Sequence, residues 1–169
     1  PAIEHFHMFV DALTMQMVRV PEMFDVIVTN NMFGDIVTDL GAALQGGLGM
    51  AASGNIHPGK VSLFEPIHGS APKYAELDPP IVNPIAMLLS AVMMLEYIGE
   101  IEKGRLIRNA IAAVVKEGKV RTYDMMRLPG GSKALAAGAA STIEMTEAIL
   151  AKLDSTPQLA LAGTQREFA

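Results

Sequence analysis

The sequence predicts an α/β fold, and two observations predict it. A short β-branched run, FDVIVT at 24–29, passes through an Asn-Asn break into an amphipathic pattern, GDIVTDLGAALQ. Strand, turn, helix is the repeating unit of a parallel α/β sheet. Further on, a second strand-like run and three helical patterns are separated by glycine- and proline-rich connections. Half of the 169 residues are apolar, enough for a sizeable core in one compact domain.

Each element has its own signature. Residues 4–19 place Phe6, Phe9, Leu13 and Met17 on one stripe and predict a first helix. The run 24–29 fits a buried parallel strand. The next helix carries Ile36, Leu40 and Leu44 at i, i+4, i+8. The glycine-rich stretch 46–60 reads as loop, and KVSLF at 60–64 as a second strand. Residues 65–82 hold four prolines, and a connection this long and irregular points to a binding loop. Asn83-Pro84 opens a helix to Tyr97 or Ile98, stopped by Gly99; apolar nearly all round, it is expected to be deeply buried. Residues 102–119 predict a surface helix with Leu106, Ala110 and Val114 inward and Gly118 as its stop. Ser141-Thr142-Ile143-Glu144 is a capping box for a last helix to about Leu153. A frayed tail is expected over 154–169. No internal repeat and no interdomain linker is visible.

Composition excludes several classes. Net charge is −5 without a basic tract, so no nucleic-acid partner is expected. Cysteine is absent, which removes disulfides and thiolate metal sites and suits a cytoplasmic protein. The longest apolar run, IAMLLSAVMML at 85–95, is shorter than the roughly 20 residues a bilayer span needs, so no membrane association is expected. No signal-peptide pattern is visible. The twelve methionines either fill core gaps as flexible side chains or reflect genome composition. The chain begins at Pro1 and enters an amphipathic pattern within six residues; it reads as a piece of something longer, or as a trimmed chain.

Two features carry chemistry. Asp35 and Asp39 stand four apart, with no lysine or arginine within a helical turn. On a helix they share a face, where like charges cost a few tenths of a kcal/mol and more on partial burial. A divalent cation reverses that sign, and oxygen-only ligands suit Mg²⁺ or Mn²⁺. Spacing alone leaves a second reading open: Asp35 favoured by the helix N-terminus and Asp39 facing solvent. Asp11, alone among apolar residues of the first helix, is a third carboxylate of the same kind. His5 and His7 are not at i, i+4, so a two-histidine metal face is not supported. The second feature is HGSAP at 68–72, whose small residues let a ligand approach the backbone. Lys73 and Tyr74 add a cation and a flat ring. Together these suit a nucleotide with its phosphate, or equally a surface loop stiffened by prolines.

In order along the chain stand VDALTM (10–15), FDVIVTNNMFGDIVTDLGA (24–42), SLFEPIHGSAPKYA (62–75) and NPIAMLLSAVMMLEYIG (83–99). Together they resemble the β-decarboxylating dehydrogenases of 2-hydroxy acids, the isopropylmalate/isocitrate dehydrogenase family, which includes homoisocitrate and tartrate dehydrogenases. The resemblance covers residues 1–153 and matches roughly the C-terminal half of the family's chain. It implies a two-domain α/β fold, an active site in the cleft and a homodimer joined through helices. It implies that Asp35 and Asp39 hold Mg²⁺ or Mn²⁺ in one subunit and that Asp11 reaches the partner subunit's ion.

By the same resemblance, the cofactor NAD or NADP is bound by Glu65, His68, Gly69, Ser70, Ala71, Pro72, Lys73, Tyr74, Val82, Asn83, Tyr123, Asp124 and Arg127. The implied reaction oxidises the substrate's hydroxyl and then releases CO₂. The family's acid–base lysine and tyrosine are expected upstream of Pro1, so no catalytic residue is expected in this chain, and the fragment alone is expected to be inactive. Lys73-Tyr74 and the Tyr123/Arg127 pair match the NADP-using isocitrate dehydrogenases, whereas NMFGDI and FEPIHGSAP look more like isopropylmalate dehydrogenase. Two departures from the family pattern stand out, Glu76 where the family usually has glycine and LDPP at 77–80 lengthening the loop, and the acidic Glu76 weighs against NADP. 3-Isopropylmalate is the favoured substrate; the alternatives are isocitrate with NADP, or a non-catalytic regulatory subunit or fragment of the family.

Overall fold

The computed structural model describes residues 3–155. Among these, six helices and a two-stranded sheet form: α1 (Val10–Arg19), α2 (Asn31–Gln45), β1 (Ala52–Asn55), β2 (Leu63–Pro66), α3 (Ile85–Tyr97), α4 (Ile101–Glu117), α5 (Lys133–Ala136) and α6 (Thr142–Ser155).

The first helix is shorter than its pattern. It starts at Val10, Leu13 and Met17 are buried, and Phe6 and Phe9 remain exposed. A short helix is held by packing of its apolar face more than by propensity, and the expected turns before Val10 leave that face in solvent. The run 24–29 is not a strand: a bend falls at Asp25 and residues 26–29 form no strand after it. A strand needs a hydrogen-bonding neighbour; β-branched residues alone do not supply one. The described sheet consists of β1 and β2, and Val26 and Val28 lie open. The expected parallel strand is therefore an unpaired segment.

Asn30, in the pair read as a strand breaker, is the cap of α2: its side-chain oxygen accepts from Phe33 N at 3.1 Å. The buried face of α2 is Val37 and Ala42, while Ile36 and Leu44 are exposed. The expected stripe is rotated because α1 packs on the side of Val37 and Gly41. Leu13, Met17 and Val37 form one cluster, and a Cβ at Gly41 would already lie 3.6 Å from Met17 Cε.

The sheet is an antiparallel pair, Ala52 opposite Pro66 through Asn55 opposite Leu63. Strand β1 falls inside the stretch read as loop, and β2 begins at Leu63 rather than Lys60. Tyr97, at the end of α3, fixes the connection: its hydroxyl donates to the carbonyls of His57 (2.9 Å) and Lys60 (3.2 Å). Its ring lies 5.6 Å from that of Phe64.

Helices α3, α4 and α6 make the main core, with Ile85, Ala110, Ile111, Val114, Met145 and Ile149. Helix α3 is not buried all round: Met87 and Met94 are exposed. Helix α4 ends as its glycine predicts, with Gly118 left-handed at φ 65° and its N–H donating to Val114 O. The capping box closes as expected: Ser141 N donates to Glu144 Oε2 at 2.8 Å, and Glu144 N donates to Ser141 Oγ at 3.2 Å. Helix α6 continues to Ser155, so Asp154 and Ser155 are helical rather than tail; residues 156–169 lie outside the described residues.

Candidate functional site

The long connection between β2 and α3 folds over a cavity of about 540 Å³. Ala71 turns the chain in the left-handed region, φ 45°, which costs a non-glycine residue roughly 1–2 kcal/mol. A 3-10 turn, Pro72–Tyr74, follows. The turn aims His68, Gly69, Ser70, Ala71, Lys73 and Tyr74 at the cavity, and Val82 and Asn83 line it from the approach to α3. Tyr123 and Asp124, from the turn after α4, close the opposite wall. Beneath that wall, Ile81, Ala134 and Ala139 form a small core against which Tyr74, Leu77 and Tyr123 pack.

Asn83 is buried and fully engaged. Its side-chain oxygen accepts from Ile85 N at 3.0 Å; its amide donates to Asp124 Oδ2 at 3.0 Å and to Met50 Sδ at 3.7 Å. Thr122 Oγ1, also buried, donates to the other oxygen of Asp124. Loop, α3 and the turn at 122–127 are thus tied together at the cavity floor.

Tyr74 and Tyr123 meet ring to ring at 5.6 Å with a 50° tilt. The hydrogen bond from Tyr123 holds the Tyr74 phenol below its ordinary value; burial opposes this, and Lys73 adds to it. Burial raises the Tyr123 phenol, and its bond to Tyr74 raises it further. Lys73 Nζ lies 4.8 Å from the Tyr74 ring centroid, a cation–π contact of about 0.5–1 kcal/mol when exposed. No ion pair among the described residues engages Lys73, so its charge is available to an anion.

Three expected cofactor residues stand apart from the cavity lining. Glu65 is exposed on β2 opposite Ser53. Arg127 is exposed, in a left-handed turn at φ 56°. Pro72 begins the 3-10 turn without lining the cavity. Glu76 is also exposed and outside the lining. Two lining residues escape the sequence reading, Leu48 and Gly49. Their signal is the Gly46-Gly47-Leu48-Gly49 run, since small residues permit close approach, but that run reads equally as a loop.

Asp35 and Asp39 lie one turn apart on α2, both exposed, so the partial burial expected for them is absent; the apolar face of α2 is turned toward α1 instead. Asn31 Nδ2 donates to Asp35 Oδ2 at 3.3 Å. Asp11 sits in the first turn of α1, exposed, with Ala12 N donating to its Oδ1 at 2.8 Å. Among the described residues, no three acidic or histidine side chains converge on one point. Asp11 therefore does not join the α2 pair within this chain.

The family model described as isocitrate/isopropylmalate dehydrogenase matches residues 1–149. The chain is 48% identical to the NADP isocitrate dehydrogenase of Thermus thermophilus over 94% of its length and 30% of that protein's. It is 43% identical to the 3-isopropylmalate dehydrogenase of Ralstonia nicotianae over 90% of its length and 40% of that protein's. Among solved structures, isocitrate dehydrogenase from Methylococcus capsulatus aligns at a TM-score of 0.73 and 43% identity, covering 85% of this chain and 39% of that one. The chain thus spans well under half the length of these relatives. No helix among the described residues is long and apolar enough to cross a membrane. By the extent of the match, the identity to its relatives and the shared fold, the chain belongs to the isocitrate/isopropylmalate dehydrogenase family.

Proposed function

We propose that the whole protein performs metal-dependent oxidative decarboxylation of a 2-hydroxy acid, with isocitrate as substrate and NADP as hydride acceptor. One observation carries the cofactor choice: Lys73, Tyr74 and Tyr123 converge on one cavity, with the Lys73 ammonium free of any carboxylate among the described residues. A ribose phosphate placed there meets one cation and two hydroxyls. Charge-assisted hydrogen bonds of this kind contribute about 1.5–3 kcal/mol each. Glu76, the acidic residue that weighs against NADP in the sequence, does not line the cavity, and neither does Arg127, so the choice rests on Lys73, Tyr74 and Tyr123. The 48% identity to an NADP isocitrate dehydrogenase points the same way.

The residues present fit a nucleotide and a hard cation. The loop from His68 to Ala71 offers backbone and small side chains, and the Tyr74 and Tyr123 rings offer flat apolar surface. Asp35 and Asp39 present exposed carboxylate oxygens one turn apart, a donor set for Mg²⁺ or Mn²⁺, which completes its shell with water and substrate oxygens. When bound, the dinucleotide supplies the hydride acceptor, and the cation supplies the charge that polarises the hydroxyl oxygen and offsets the charge left by CO₂ loss. The task of this chain is positioning. Lys73 and Tyr74 anchor the phosphate end, Asn83 and Asp124 fix the cavity floor, and α2 carries the carboxylates from which the substrate is oriented. No acid–base lysine or tyrosine is assigned to this chain; in this reading the rest of the whole protein supplies them. A homodimer is part of the reading, with Asp11 donated across the interface; the exposed Met15 and Val18 of α1 and Met32 and Ile36 of α2 support it.

A second reading, isopropylmalate with NAD, is favoured by the NMFGDI and FEPIHGSAP stretches and by the 43% identity to an isopropylmalate dehydrogenase. The test is turnover of the full-length protein with Mg²⁺, following reduced-nicotinamide absorbance for isocitrate and isopropylmalate, each with NAD and NADP. Isocitrate with NADP is the expected pair. Isopropylmalate with NAD overturns it in favour of the second reading, and inactivity with all four points to a regulatory subunit.

A further inference from the structure

Helix α2 leaves through Gly46 and Gly47, both at positive φ, into a 3-10 turn, Leu48–Met50. The middle residue of that turn, Gly49, lines the nucleotide cavity. Its own φ is not in the left-handed region, so the backbone does not demand glycine there. The surroundings do. A Cβ at position 49 would collide with Asp124 Oδ2 and stand 3.0 Å from Asn83 Cβ and 3.1 Å from Asn83 Nδ2. Those atoms belong to the buried hydrogen bond between Asn83 and Asp124. On the far side of the same pair, Thr122 Oγ1 holds the other carboxylate oxygen, so Asp124 cannot retreat without breaking that bond.

We propose that Gly49 is a positioning residue of the nucleotide cavity: its missing side chain lets the Asn83–Asp124 pair seat against the exit of α2. The pair forms part of the floor on which the adenosine moiety rests, so a side chain at 49 acts on nucleotide affinity through Asp124. The proposal rests on the nucleotide reading of this cavity. It extends to any adenine nucleotide, with or without a ribose phosphate, because the contact made by position 49 does not involve Lys73.

The test uses the full-length protein, with AMP binding measured by titration calorimetry and Mn²⁺ binding by electron paramagnetic resonance. In Gly49→Ala, AMP affinity falls about tenfold, while Mn²⁺ affinity stays within about twofold, since Asp35 and Asp39 keep their places on α2. In an Asp124→Ala background, where the colliding oxygen is gone and only the 3.0–3.1 Å approach to Asn83 remains, Gly49→Ala adds a much smaller loss than in wild type; such non-additivity marks a direct contact. Unchanged AMP affinity in Gly49→Ala overturns the proposal. So does a parallel fall in AMP and Mn²⁺ affinity, which marks general damage, or an equal loss with and without Asp124. If Gly49→Ala does not fold, the double variant decides: one that folds and binds AMP upholds the contact with Asp124, and one that also fails overturns it. Wild-type protein that binds no AMP removes the nucleotide reading itself, a result separate from any variant.

Discussion

Asn83 Nδ2 donates to Asp124 Oδ2 at 3.0 Å across 41 positions of sequence. The pair joins the start of α3 to the turn after α4, and Asn83 is buried while it does so. Asn83→Ala leaves Ile85 N and a carboxylate oxygen without their partner. An unsatisfied buried group of this kind costs about 1–3 kcal/mol. A melting temperature lowered by several degrees is expected, and an unchanged melting curve would show that water replaces the amide.

The carboxylates on α2 give the second prediction. Asp35→Asn keeps the shape and removes one charge from a two-carboxylate donor set. Loss of measurable Mn²⁺ binding in the full-length dimer is expected. Unchanged affinity in a titration would remove Asp35 from the metal site. Asp11→Asn is expected to weaken the same ion from the partner's side, which mixed dimers of Asp11→Asn and Asp35→Asn subunits can test. Each mixed dimer keeps one site with both Asp11 and Asp35 intact, so it retains one strong ion where either homodimer has none.

The sequence carried local signals well and face assignments poorly. The capping box at Ser141 and the glycine stop at Gly118 are local events, set within one turn of chain, and both form as read. The strand at 24–29 did not, because a strand is a relation to a neighbour and none lies beside it among the described residues. The buried face of α2 is decided by where Met17 arrives, which no pattern within α2 encodes. At the site, His68–Ala71, Lys73 and Tyr74 and the distant Val82, Asn83, Tyr123 and Asp124 were legible through family resemblance and do share one cavity, while Glu65, Pro72 and Arg127, read by the same resemblance, do not line it. Gly49 was not, since a glycine required by an approaching carboxylate looks in sequence like any loop glycine.

Lys73 sets the third prediction. It lines the cavity, lies over the Tyr74 ring and has no carboxylate partner among the described residues. Lys73→Asp exchanges a phosphate partner for an acceptor of ribose hydroxyls. Loss of one charge-assisted contact, about 1.5–3 kcal/mol, corresponds to a fall in NADP efficiency of roughly ten- to a hundredfold relative to NAD. An unchanged ratio of kcat/KM for the two cofactors would show that Lys73 does not face the ribose.

Glu144 gives a pH signature separate from the site. Its carboxyl is held below the ordinary glutamate value of 4.5 by the backbone N–H of Ser141 and then by the Ser141 hydroxyl. A carboxyl lowered in the folded state stabilises that state fully above the unfolded value. The contribution is lost as pH falls through the lowered folded value, because protonation removes the charge that strengthens the cap's hydrogen bonds. Glu144→Ala therefore melts below wild type at pH 7, and the gap narrows on acidification from pH 5 toward pH 3. The α6 start is the place to look: amide exchange at Thr142 to Met145 speeds up in the variant at neutral pH and converges with wild type in acid. A gap that stays constant across that range would mean that Glu144 acts on α6 through packing rather than through its charged cap.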